Sequence, residues 1–306
     1  MTDSPVPDAT EYPLISLSGR RPAHVLCAWG LTSLLPGARV HFEKTWARPV
    51  ITWTGTAQEL AERAAVDLVA GTWDLGSGLL RGIQTTTPTR ALINGAVAEL
   101  WEGVRQGRRL AGPSILRTFD LSGSAKPLRT GDAAVQVPAA ALTFLTGRGY
   151  TAKSVQDTWE LLGATSTEEA LSRATDEILR LLDGEPSVVE AKPGLRFSAS
   201  SMMPRTTSGS EKCDVEPIID LLALCGQILI EPAQRTMTEM GMRKGLSWWL
   251  NPVPLSIEAV VELHEAPPPG LRWPRRSARI LTEPVAKFSY LAPSQAVDES
   301  KGDHRA

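Results

Sequence analysis

The chain predicts an α+β fold in which mixed sheets are flanked by helices. Three observations carry that expectation. Segments with apolar residues at helical spacing alternate with apolar runs of four or five residues, too short for helices. Gly and Pro clusters bound the short runs, as they bound strands. Helix-start residues stand where the periodic segments begin: Thr56, Thr151, Thr167 and Ser256, each but Thr151 with a Glu in the following turn.

Taken in order, residues 1–12 are polar and Pro-containing and are expected to be a flexible tail. Leu14, Ile15 and Leu17 suggest a first strand that runs into Gly19, Arg20 and Arg21. Pro22 to Leu35 is rich in small and apolar residues, with Pro at its first turn, and predicts a helix stopped by Pro36 and Gly37. Strands follow at Arg39–Phe42 and Pro49–Trp53, then a helix over Ala57–Val69 capped by Thr56 and ended by Gly71. A further amphipathic helix is expected from about Thr89 to Arg105, and a strand at Ile115–Leu121. An apolar stretch, PAAALTFLTGRG, begins at Pro138. Helices are predicted at Thr151–Leu162 and Thr167–Leu182.

The Pro-containing stretch 184–194 is the expected linker between an N-terminal α+β region, 13–183, and a C-terminal one, 195–292, giving two subdomains. The C-terminal part offers a strand at Leu195–Ser198 and a helix at Val215–Leu224. The run LSWWLNPVPLSIEAVVELH reads as strand, turn and helix, and a strand pair follows at Arg279–Leu281 and Ala286–Leu291. The tail, 293–306, is polar and expected to be disordered.

With 42% hydrophobic and 22% charged residues over 306 positions, the chain can bury a core without metal or disulfides. The net charge of -2 gives no global basic field, so any anion-binding surface must come from local clustering. Three widely spaced cysteines, Cys27, Cys213 and Cys225, point to a reducing compartment, and the N-terminus lacks an apolar leader pattern. No run of 18 apolar residues occurs, so no membrane span is expected. The expected location is the cytoplasm.

Motifs for chemistry are sparse. There is no G-x-G-x-x-G, no G-x-x-x-x-G-K-[ST], no H-E-x-x-H and no G-x-S-x-G. No cofactor or metal site is suggested. His24 and Cys27, three apart on the first helix, and the serines at Ser198–Ser201 are the thin basis for an enzyme reading. Cationic clusters are more prominent. Arg20 and Arg21 stand at a strand–loop–helix junction, where amides and guanidinium groups can hold phosphate. Arg108, Arg109, Lys126 and Arg129 lie in a Gly/Pro-broken stretch with few acids, and Arg243 and Lys244 end another loop. Arg272, Arg275, Arg276 and Arg279 form a further group around Trp273. Such residues suit contacts to a nucleic-acid backbone. Trp46, Trp53, Trp73, Trp101 and Trp159 are expected in the core. The adjacent Trp248 and Trp249 would point to opposite faces of a strand, so one could be exposed for stacking or an interface, against the competing reading that they pack in the core.

The segment RPAHVLCAWGLTSLLPGARVHFEKTWARPVITW resembles the opening of CRISPR-associated proteins of type I-U (I-G) systems. Their strand, Gly-Pro start, apolar Ala-x-Gly-Leu helix and Trp-bearing strand would fall on Gly19, Pro22, Ala28, Gly30, Leu31 and Trp46 or Trp53. ALTFLTGRGYTAKSV after Lys126-Pro127, and LLALCGQILIEP followed by LSWWLNPVPLSIEAVVELH, are similar to later segments of that group, in the same order. The resemblance implies a non-catalytic large-subunit-like or accessory subunit of an interference complex. Its partners would be crRNA or target DNA and other CRISPR-associated subunits. A protein–protein scaffold without nucleic acid, and an uncharacterised enzyme, remain as alternative readings.

Overall fold

The structure is a computed structural model that describes residues 9–73, 127–130, 133–136, 151–191, 197, 212–235, 245–265, 267–282, 289–291 and 294–297. The expected helix at 89–105, strand at 115–121 and apolar stretch at 138–149 lie outside the described residues.

Among the described residues the elements run β1 (Thr10–Pro13), α1 (Pro22–Leu34), β2 (Arg39–Phe42), β3 (Pro49–Trp53), α2 (Ala57–Thr72), β4 (Pro127–Thr130) and β5 (Ala133–Gln136). Then come α3 (Thr151–Leu161), α4 (Thr167–Asp183), β6 (Val189–Ala191), β7 (Cys213–Val215), α5 (Pro217–Arg235) and β8 (Gly245–Trp249). The chain continues through α6 (Ile257–Glu265), β9 (Arg275–Thr282), β10 (Ser289–Leu291) and β11 (Gln295–Ala296). Helices combine with several small antiparallel sheets, an α+β fold as the sequence predicts.

Helix α1 has no polar stripe. All thirteen of its residues are buried, as a helix apolar on every side must be. Its principal partner is α5, and the two backbones touch at glycines. A Cβ on Gly30 would lie 1.9 Å from the Leu222 carbonyl oxygen, and one on Gly226 would lie 2.0 Å from that of Leu26. The contact is reciprocal, because L-x-x-x-G recurs in both helices (Leu26 to Gly30, Leu222 to Gly226). Helix α4 is the opposite type. It buries only a stripe of Ala170, Ala174, Glu177, Ile178 and Leu181, and α2 packs against it. The N-cap of α4 is Ser166, one residue before the expected Thr167, and its hydroxyl accepts from the Glu169 N–H at 3.2 Å. Thr56 caps α2 in a full capping box with Glu59, and that helix runs through Gly71 to Thr72.

The first sheet has the order β1–β3–β2, with Val50 facing Pro13 on one side and His41 on the other. The first strand therefore occupies Thr10–Pro13, inside the stretch expected to be a tail, and Leu14–Leu17 form the turn after it. Leu14 and Leu17 are apolar because they enter the core, not because they are strand residues. In the second sheet β8, β10 and β11 all pair with β9. β9 starts at Arg275, earlier than expected, and β11 lies in what was read as a disordered tail.

Within the stretch read as a linker, Ser187 donates to Glu177 through its N–H (3.0 Å) and hydroxyl (2.6 Å), and Val189–Ala191 pair with β7. The expected strand at 195–198 falls mostly outside the described residues. Residues 251–255 add to the N-terminal sheet: Val40 and Leu255 exchange backbone bonds of 2.8 and 3.0 Å, and Asn251 Nδ2 donates to the Val40 carbonyl at 2.7 Å. One apolar core gathers residues from Leu14 to Ala278.

Candidate nucleic-acid interface

The site is built on the loop that enters α1. The Gly19 N–H donates to the Ala47 carbonyl at 2.6 Å, and the Gly19 carbonyl accepts from Trp248 Nε1 at 2.8 Å. A Cβ at this position would meet Leu250 Cδ2 at 2.6 Å and the Ala47 carbonyl oxygen at 2.8 Å. Gly19 is thus a packing glycine wedged between the β2–β3 hairpin and the end of β8. The Arg20 N–H donates to the Ser18 hydroxyl, the Arg21 N–H to the Ser18 carbonyl, and those of His24 and Val25 to the Arg21 carbonyl. The amides that a phosphate would need at this helix start are largely committed inside the protein. Anion binding, if it occurs here, falls to side chains.

Those side chains converge. Arg20 and Arg21 are exposed. Arg276, on β9, donates from Nε to the Ser294 hydroxyl at 2.8 Å and from an η nitrogen to the Ser294 carbonyl at 3.2 Å. The Ser294 hydroxyl in turn donates to the Arg20 carbonyl. Burial and the neighbouring positive charge of Arg20 both hold the Arg276 guanidinium below its ordinary pKa. Two arginines more than 250 positions apart in sequence are thus near enough for one charge to act on the other, with Ser294 joining the Arg276 side chain to the Arg20 backbone. Neither makes an ion pair with another described residue. Next to them Arg275 stacks over the Trp249 ring, 5.0 Å from its centroid, and donates to the Ser247 hydroxyl at 3.2 Å.

Beneath this rim lies a polar layer between α1 and α5. The Ser18 N–H donates to His24 Nδ1 at 3.0 Å, which places the imidazole proton on Nε2. Nε2 lies 4.0 Å from Glu216 and 3.2 Å from an Arg21 η nitrogen; since both nitrogens are donors, the second contact is an approach and not a bond. Burial, with Arg21 adding to it, drives the His24 pKa down to about 3, so the ring is neutral at physiological pH. Burial raises the pKa of Glu216, against the pull of Arg21. Cys27 is fully buried, and burial with the charges of Glu216 and Asp220 pushes its thiol well up. Cys225 is pushed up to about 12, also by burial. Thiols so placed are packing groups; a nucleophile would need a depressed pKa and access. Among the described residues no group of three metal-ligating side chains gathers.

Of the residues picked from sequence, Arg20 and Arg21 are on this rim. Arg129 has its backbone on β4. Arg108, Arg109, Lys126, Arg243 and Lys244 lie outside the described residues. Of the two readings of Trp248 and Trp249, the exposed stacking one is overturned and core packing stands: their exposures are 0% and 4%. β8 is covered on both faces, one by the Gly19 loop and the other by Arg275, so alternation along the strand leaves neither ring free. Trp46, expected in the core, is 69% exposed. The signal was in the sequence, since Trp46 stands among polar residues between two strands, in the position of a hairpin turn. Arg276 was visible as part of a cluster, but nothing local shows that it meets Arg20.

No known protein family, no curated protein and no solved structure matches this chain. Among the described residues no helix is long and apolar enough to cross a membrane.

Proposed function

We propose that the protein is a non-catalytic subunit of a CRISPR-associated complex that binds the phosphate backbone of crRNA or target DNA, working in the cytoplasm beside other subunits. The observation that carries the backbone-binding part is the pairing of Arg20 with Arg276 at the mouth of α1. Ser294 ties the Arg276 guanidinium to the Arg20 backbone, and the nearby Arg20 charge lowers the Arg276 pKa; neither arginine has an ion-pair partner among the described residues, so the two positive charges carry an electrostatic cost that an incoming polyanion removes. The assignment to a CRISPR complex rests on the ordered segment resemblances alone. The two buried free thiols, Cys27 and Cys225, agree with a reducing compartment.

The test is a salt series. Fluorescence anisotropy of the full chain with single-stranded RNA, single-stranded DNA and duplex oligonucleotides should give affinities that fall log-linearly with salt. Replacing Arg20 and Arg276 together by Ala should lower the slope by about 1.5, close to 0.7–0.9 for each lost phosphate contact. Absence of binding to every oligonucleotide at low salt, both alone and with co-purified neighbours, would overturn the proposal and leave the protein–protein scaffold. Binding that the double variant leaves unchanged in strength and slope would remove this rim from it.

A further inference from the structure

The most exposed large apolar side chain recorded for the described residues is Trp46 at 69%, and it does not stand on a loose loop. The turn joining β2 to β3 is closed by bonds from Glu43 N–H to the Arg48 carbonyl and from Ala47 N–H to the Glu43 carbonyl, both 2.9 Å. Ala47 is held at φ +53°, a left-handed conformation that a residue with a Cβ adopts only when its surroundings fix it. The fixing contact is the 2.6 Å bond from Gly19 N–H to the Ala47 carbonyl. Trp46 therefore precedes, and Arg20 follows, two residues bonded to each other. The backbones that carry Trp46 and Arg20 are thus joined at one contact, and Ser294 ties Arg276 to the same loop.

The charges around it favour an anionic occupant. Arg48 is paired with Glu43 at 3.8 Å, and Arg21 lies near Glu216. Arg20, Lys44 and Arg276 make no ion pair with another described residue. An exposed aromatic ring on a turn whose neighbouring backbone carries cations without an ion pair among the described residues is the combination that holds single-stranded nucleic acid: the ring stacks on a base while the cations follow the backbone. A duplex keeps its bases stacked inside and offers no face to such a ring.

We infer that Trp46 is a base-stacking residue, and that the Trp46–Arg20–Arg276 junction prefers single-stranded over double-stranded nucleic acid. This deepens the backbone-binding reading and rests on it. Trp248 and Trp249 are removed from that role by their burial, and Trp46 takes it.

The experiment compares the full-length wild type with Trp46→Ala and Trp46→Phe. The probes are a single-stranded oligothymidylate, the same length of abasic sugar–phosphate chain, and a duplex. Trp46→Ala should weaken the thymidylate complex roughly five- to hundredfold, with the salt slope unchanged, while Trp46→Phe keeps most of the affinity. The abasic chain should bind wild type and Trp46→Ala alike. Because the ring is exposed, the thermal midpoint should stay within a degree or two. Equal thymidylate affinity for wild type and Trp46→Ala overturns the stacking role and leaves the backbone-binding proposal standing. Equal weakening on thymidylate and abasic chains also overturns it, since the effect would then not pass through a base. Failure of the wild type to bind any of the three overturns both. A wild type that binds duplex more tightly than thymidylate overturns the single-strand preference.

Discussion

Helix α1 joins two regions that respond to opposite rules. Its middle meets α5 at Gly30 and Gly226, where backbone touches backbone and a single methyl group has no room. Its start carries Arg20, Arg21 and the Gly19 loop, where side chains reach water and the neighbours are charges. The middle is defined by excluded volume, so it should be intolerant of size and indifferent to salt. The start is defined by electrostatics, so it should tolerate substitution in stability and respond strongly to salt in binding. A structural core and a binding rim can thus share one helix without sharing constraints.

The comparison breaks most visibly at the glycines. Gly30→Ala or Gly226→Ala adds a Cβ that would sit about 2 Å from a carbonyl oxygen of the other helix, so the helices must separate. Alanine regains about 1 kcal/mol of helix propensity, but overpacking at backbone is the larger effect. The expected net loss is about 3 kcal/mol, measured by urea unfolding. The double variant should lose less than the sum, because the first separation makes room for the second methyl. Additive losses would show that the two glycines do not share one contact.

Next in size is the pH dependence of two buried histidines. The pKa of His24, in the polar layer, is lowered to about 3 and that of His264, on α6 with its ring edge-on to Trp29, to about 4, both chiefly by burial from an ordinary value near 6.5. Below pH 6.5 the unfolded chain takes up protons that the folded one refuses, so stability falls as the pH drops toward those values. Each histidine should cost about 2 kcal/mol between pH 7 and 5. Glu216 acts in the opposite sense above its ordinary 4.5, because its raised pKa makes the folded state bind the extra proton. Urea midpoints at pH 7 and 5 for wild type and His24→Gln check the sign: the variant should lose less on acidification. A smaller step follows from Trp248→Phe, which leaves the buried Gly19 carbonyl without its 2.8 Å donor and should cost about 1.5 kcal/mol, read from the same unfolding curves.

What could be read from the sequence follows the same line. The run of small and apolar residues from Pro22 predicted a helix within a residue of its end, and strands β2 and β3 fell where alternation and Gly/Pro punctuation put them. Thr56 and Ser256 cap their helices as expected, because capping is a local interaction among four residues. β1 was missed: Thr10–Pro13 become a strand only by pairing with β3, and their own residues are mostly exposed. Composition likewise does not show that Glu177 anchors Ser187, inside the stretch read as a linker. Of the site, the arginines were legible as residue types, but their convergence depends on Ser294 and Arg20, which are 274 positions apart. Alternation alone left open whether Trp248 or Trp249 is exposed, because it describes a strand with one open face, and β8 has none.

The smallest effect, and the one that probes the rim alone, comes from Ser294→Ala. The hydroxyl accepts from Arg276 Nε and donates to the Arg20 carbonyl, so it links the final strand to the α1 loop. Arg20 is exposed and its carbonyl can turn to water instead, which limits the loss of stability to about 0.5 kcal/mol. The local consequence should be larger than the global one. β11 pairs with β9 through Gln295–Ser277 and Ala296–Arg276 only, and the Val297 N–H donates to the Arg275 carbonyl at 2.9 Å. With its anchor at Ser294 gone, so short a strand should open more often, and the Val297 amide should exchange several-fold faster while the amides of α1 keep their rates. If α1 and Val297 change together, the rim is part of the same cooperative unit as the glycine crossing, and the two regions are not independent.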